Sequence, residues 1–235
     1  MVTCIHSGTS VFSSNPVVFF SPIMRKPLIE SLLHDGNFHE TFNMGLTFHY
    51  SGKMRDYKEI DRLMEEVIDL CKGLNWTYQV LDDDKIKGVI TGAEESEPLW
   101  FTFTPDGKTC NVVNLQYTDP ADPYYNWSSV KTQYAGPEAH MTTIKMLRYM
   151  SDKYFSEIEV QDEGEYWETG DEQKLREIFD RYTFIINAFA EKLGSMPRIP
   201  GESEESLVSR IEEMAKEIGG EVEVIKVVND KSPEG

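Results

Sequence analysis

The chain has 235 residues, 40% of them apolar, with 41 acids against 23 bases and a formal net charge of −18. That length supports a buried core without staples. The charge excludes a non-specific nucleic-acid binder, which must neutralise phosphates with Lys and Arg, and a protein that rides on an anionic membrane. The same charge suits a basic protein partner or mimicry of a nucleic acid. Cys4, Cys71 and Cys110 are widely spaced, without the pairing of a disulfide framework or a zinc site. No stretch reaches the roughly 18 apolar residues a membrane span requires. The N-terminal "VVFF" run is too short for a secretory signal and has no basic flank before it. The expected location is the cytoplasm.

Residues 1–43 hold five charged residues and show no sustained periodicity. They are expected to be a poorly structured extension, either a flexible arm or a segment upstream of a native start at Met44 or Met24. The pattern then becomes legible. "LTFHY" alternates Leu46, Phe48 and Tyr50 against Thr47 and His49, a half-buried strand. Asp56 caps a following helix whose inner face runs Ile60, Leu63, Met64, Val67, Cys71 and Leu74. Strands follow at 76–81, 86–90 and 99–103. Asp-Gly in "TPDGKT" signals a hairpin, so "CNVVNLQY" (110–117) is expected to return as a fourth strand.

The loop 118–129 is rich in turn residues yet carries Tyr124, Tyr125 and Trp127, which are expected to pack down onto the core. A helix over 136–155 places Pro137 and Glu138 in its first turn and His140, Ile144, Leu147 and Tyr154 on its inner face. After the strand "EIEVQ" comes an acidic turn, then a long helix over 171–193 with Leu175, Phe179, Ile186 and Phe189 on its seam. Residues 194–205 read as a linker, followed by an amphipathic helix and a candidate edge strand at 221–228. The implied fold is α+β: a core over 44–193, built as an antiparallel β-meander against two or three amphipathic helices, with a C-terminal helical appendage over 194–235.

No nucleophile elbow, P-loop, dinucleotide fingerprint, HExxH or EF-hand spacing occurs. The densest chemistry is in "QDEGEYWETGDEQ" (161–173) together with Glu138 and His140. A helix followed by its neighbouring strand can return Asp162, Glu163 and Glu165 towards His140, with Trp167 beside them. One imidazole among carboxylates suits a divalent metal, with His140, Asp162 and Glu163 the first candidates, or an acid–base pair. No other cofactor signature is present. The competing reading is architectural. Gly164 and Gly170 serve turns, Thr169 and Glu172 have capping-box spacing, and Tyr166 and Trp167 pack as a staple. His49 has no evident local partner, and the acidic turns at Asp82–Asp84 and Glu94–Glu97 read as solvated loops.

The segments "VKTQYAGPEAHMTTIKMLRYMSDKYF" and "DEGEYWETGDEQKL" resemble a group of bacterial proteins with no assigned activity. The resemblance spans about residues 44–193 and implies no site residues. Three functions compete on these grounds. The first is a non-enzymatic binding or regulatory module, immunity-like, whose acidic turns meet a basic partner. The second is a metal-dependent hydrolase using His140 and the 162–165 turn. The third is an oligomerisation module acting through 206–228.

Overall fold

The computed structural model describes residues 40–43, 45–197, 199–218 and 223–226. The expectations for residues 1–39 and for the competing start sites fall outside them. The fold is α+β, as the periodicity implies. Strand β1 (Glu40–Asn43) pairs antiparallel with β8 (Glu223–Lys226) as a separate ribbon. Strand β2 (Thr47–Met54) is the centre of a three-stranded antiparallel sheet in the order β6–β2–β7, with β6 at Ser128–Lys131 and β7 at Phe155–Asp162. Strands β3 (Thr77–Asp82), β4 (Lys87–Gly92) and β5 (Leu99–Phe103) form a second antiparallel sheet in that order.

The two sheets are stitched together by residues 107–110. Met54 N–H donates to Gly107 O at 2.8 Å and Thr109 N–H to Gly52 O at 2.9 Å, while Cys110 N–H reaches back to Thr102 O at 3.0 Å. The Tyr50 hydroxyl adds a second tie. It donates to Trp100 O at 2.8 Å and accepts from Trp100 N–H at 2.9 Å, fully buried. Burial pushes this phenol well above its ordinary range, so it stays a neutral donor.

Helix α1 (Ile60–Leu74) buries Leu63, Val67 and Cys71 on the sheet, as its spacing requires. The Asp56 side chain accepts from Lys58 N–H and opens the short 3₁₀ turn that precedes it. The chain leaves α1 through Asn75 in the left-handed region, a common way to end a helix. Helix α3 (Pro137–Tyr154) lies beside α1, and Glu66 of α1 accepts from the Tyr149 and Tyr154 hydroxyls and from Lys153. One core joins Phe48, Phe101 and Phe103 of the sheets to Ile144, Leu147 and Phe179 of the helices.

The expected strand at 110–117 is not one. Only the residues up to Cys110 return along β5, and Val112–Tyr117 is a short helix, α2. The Asn111 side chain accepts from Asn114 N–H at 2.8 Å, an N-cap strong enough to override the strand preference of two valines. A one-turn helix α4 (Tyr166–Thr169) precedes α5 (Glu172–Ser195). The expected Thr169–Glu172 box is replaced by Asp171, whose carboxylate accepts from Gln173 N–H and Lys174 N–H at 3.0 Å each. Helix α6 (Glu204–Ile218) sets Leu207, Ile211 and Met214 against Phe189 and Leu193 of α5, so its apolar seam is covered within the chain. No described helix is long and apolar enough to cross a membrane.

Candidate functional site

The helix α3 starts at Gly136 (φ 88°), with Pro137 as its first residue and no side-chain cap. His140 therefore falls in the first turn on the inner face, where it is fully buried. Its ring stands edge-on to Phe48, at 5.7 Å between centroids, and to Phe179 at 5.8 Å. Strand β7 ends at Asp162, opposite Phe48 in register, which brings the carboxylate to the imidazole. His140 Nε2 is 3.2 Å from both Asp162 oxygens, and His140 Nδ1 is 2.7 Å from the Thr132 hydroxyl. The carboxylate can only accept, so Nε2 carries a proton.

Asp162 has further work. Its Oδ1 accepts from Gly164 N–H at 2.8 Å, and its Oδ2 from Tyr166 N–H and Trp167 N–H at 2.9 Å each. Burial alone would raise its pKa. The His140 hydrogen bond and charge, with the Trp167 and Gly164 N–H groups, outweigh burial and hold it below the usual carboxylate range. Gly164 is required by space, since a Cβ there would lie 2.7 Å from Leu175 Cδ1 and 3.0 Å from His140 Nε2.

The other predicted residues do not join this pair. Glu163 is exposed, and its carboxylate accepts from Thr47 N–H at 2.7 Å while its own N–H donates to Thr47 O, extending the β2–β7 ladder. Glu165 takes Lys174 at 2.5 Å and Glu138 takes Arg176 at 2.6 Å, both at the surface. Trp167 is half-buried under the Arg148 guanidinium, 4.4 Å from its ring centre. His49, which has no local partner in the sequence, meets Ser129 Oγ of the neighbouring strand β6 at 2.8 Å from Nδ1.

Thr132, His140 and Asp162 form a hydroxyl–imidazole–carboxylate line, but all three are buried. A nucleophile must meet its substrate, and this hydroxyl has no solvent-facing side. The pair also offers no free lone pair to a cation as folded, because both carboxylate oxygens and both ring nitrogens are engaged. Among the described residues no group of three or more His, Cys, Asp or Glu side chains is placed to hold a metal ion. The arrangement locks the start of α3, the end of β7 and the start of α4 to one another. Thr132 gave no sequence signal, because a buried threonine just past the end of a short strand looks like any other.

A second arrangement is exposed. Asn111 and α2 open a lobe that runs to Trp127. The Asn114 amide donates to the carbonyls of Tyr124, Tyr125 and Trp127, at 3.2, 3.1 and 2.8 Å. Asn111 Nδ2 donates to Trp127 O and to Ser128 Oγ. Asp119 and Asp122 each use one oxygen to turn the chain, accepting from Ala121 N–H and Tyr124 N–H. The backbone is thus fastened while side chains stay out. Tyr117 is 67% exposed, Tyr124 68% and Val113 54%. Tyr124 meets Trp127 at 6.5 Å, and Tyr125 and Trp127 are half-buried. The expectation that this loop packs down onto the core fails for Tyr124, while Tyr125 and Trp127 are only half-buried and stand outside the core cluster.

No protein-family model, no curated protein and no solved structure matches the chain.

Proposed function

We propose that the chain is a non-enzymatic protein-binding or regulatory module that takes a cationic protein segment on the lobe between Asn111 and Trp127. The observation that carries this is the composition of that exposed surface. It presents Tyr117, Tyr124 and Val113 to solvent beside Asp119 and Asp122, and no Lys or Arg occurs from Asn111 to Val130. Exposed apolar surface of this kind marks interaction sites. Aromatic faces attract Lys and Arg side chains, each contact contributing about 0.5–1 kcal/mol at exposed positions. The net charge of −18 draws a cationic partner in before contact.

The acidic turns are a poorer docking surface. Asp82–Asp84 and Glu94–Glu97 close opposite ends of β4, so they do not form one patch. Asp82 pairs with Lys87, and Glu97 accepts from Lys131 N–H. The buried His140–Asp162 pair supports the same reading, since its groups serve the fold.

Calorimetric titration with an arginine decapeptide at about 0.15 M salt, where surface charges are screened beyond roughly 8 Å, tests the proposal. The double variant Tyr117→Ser/Tyr124→Ser keeps the net charge and is expected to bind about tenfold more weakly, the sum of two such contacts. Neutralising Asp82, Asp83 and Asp84 to Asn should change affinity less than that. Equal affinity of the tyrosine variant and the wild type would show that bulk charge alone attracts the peptide.

A further inference from the structure

Among the described residues strand β3 is one edge of its sheet, paired with β4 alone. Five of its six residues are exposed and the sixth is half-buried. Tyr78 is 43% exposed and Val80 46%. Natural edges are guarded by lysines, prolines, bulges or charges along the strand. The far edge of the other sheet follows that rule, with exposed Glu157 and Glu159 on β7 and a register shift opposite at Lys53/Met54. "TYQVLD" carries no Lys, Arg or Pro, and its one charge is at the end.

The backbone groups that this edge presents follow from its register. Asp83 N–H donates to Ile86 O at 3.0 Å, and Asp82 lies opposite Lys87, Leu81 opposite Gly88 and Val80 opposite Val89. Hydrogen-bonded and non-bonded pairs alternate in an antiparallel ladder. Thr77, Gln79 and Leu81 therefore bond to β4, and the N–H and C=O groups of Tyr78, Val80 and Asp82 point away from it.

We propose that this edge pairs with the same edge of a second copy of the chain, antiparallel, about a two-fold axis at Val80. That register joins all three outward residues in bonded pairs, Val80 to Val80 and Tyr78 to Asp82 in both directions. It fuses two three-stranded sheets into one of six. A two-fold contact must be self-complementary, and this one is. The two valines meet on the axis as an apolar cross-strand pair. No like charges fall opposite each other: Asp82 faces Tyr78, Asp83 faces Thr77, and Asp84 faces Trp76, which follows the last turn of α1 with its Lys72. The contact shares no residue with the Asn111–Trp127 lobe and does not depend on that lobe's role.

Sedimentation velocity of the full chain over about two decades of concentration tests this, because assembly follows mass action. A reversible doubling of mass is expected, favoured by added salt that screens two chains of −18 each. Val80→Pro should hold the monomer mass with an unchanged thermal midpoint, since the lost N–H points away from β4, its strand's one partner among the described residues, and edge strands tolerate proline there. Val80→Lys, which sets two like charges at the axis, should do the same and decides the matter if the proline variant misfolds. A wild type that stays monomeric throughout overturns the proposal, as does a folded variant that doubles like the wild type. Binding of a foreign strand to a strictly monomeric wild type overturns it in favour of a different occupant.

Discussion

Asp162→Ala is expected to lower the stability of the fold by about 3–5 kcal/mol, because it leaves several buried donors without their acceptor at about 1–3 kcal/mol each. The substitution strands the N–H groups of Gly164, Tyr166 and Trp167 and the ring N–H of His140 in a region closed to water. Urea unfolding followed by tryptophan fluorescence measures it. A loss below about 1 kcal/mol, the range of an ordinary surface change, would mean that the carboxylate is not what joins β7 to α3 and α4.

The same residue sets an acid limit. Its folded pKa lies below the unfolded value, so its contribution is complete above the unfolded pKa of about 4 and is lost as the pH falls through the folded value. The wild type should therefore lose stability steadily below about pH 5. The isosteric Asp162→Asn variant should start less stable and decline less over that window, because it has no carboxyl there to protonate.

Gly88→Ala is expected to cost about 3 kcal/mol or more, a large share of the roughly 5–15 kcal/mol that holds an ordinary fold together. Gly88 sits in β4 at φ +148°, a conformation that disfavours any Cβ. The added carbon would lie 1.9 Å from Phe101 O and 2.7 Å from Thr102 Cα on β5, both backbone atoms that cannot turn aside. Backbone strain of about 1–3 kcal/mol adds to overpacking of similar size. Gly73→Ala is the control. It is an exposed position in α1 where a Cβ meets nothing within 4 Å, and alanine there should be neutral or stabilising by up to about 1 kcal/mol. Equal thermal midpoints for Gly88→Ala and the wild type would contradict the β4–β5 register.

Much of this fold was legible in the sequence where burial is one-sided. Leu46, Phe48 and Tyr50 alternate because β2 has one face on the core, and Leu63, Val67 and Cys71 recur because α1 has one stripe on it. The approach of Asp162 to His140 was legible too, since a helix and the strand that follows it must pack together. Residues 112–117 were not. Val112 and Val113 favour a strand, and the helix is settled by Asn111 and Asn114, whose side chains bond the backbone instead of facing core or solvent. The exposure of Tyr124 had no signal, because a packed and an exposed aromatic loop share one composition. Thr132 was missed for the same kind of reason: only the tertiary structure puts it against His140 Nδ1.

The central claim is that the His140–Asp162 pair is sealed in the core and serves the architecture, leaving recognition to the exposed lobe. Nitrogen-15 NMR of the histidine ring protons tests this most directly. The account predicts a His140 Nε2–H resonance visible in water at neutral pH, slow to exchange, and unmoved by excess Zn²⁺ or Mn²⁺, because that proton is held on Asp162 beneath Phe48 and Phe179. A proton lost to fast exchange, or a resonance that a divalent ion displaces, would contradict it and return the pair to the role of an open metal or acid–base site.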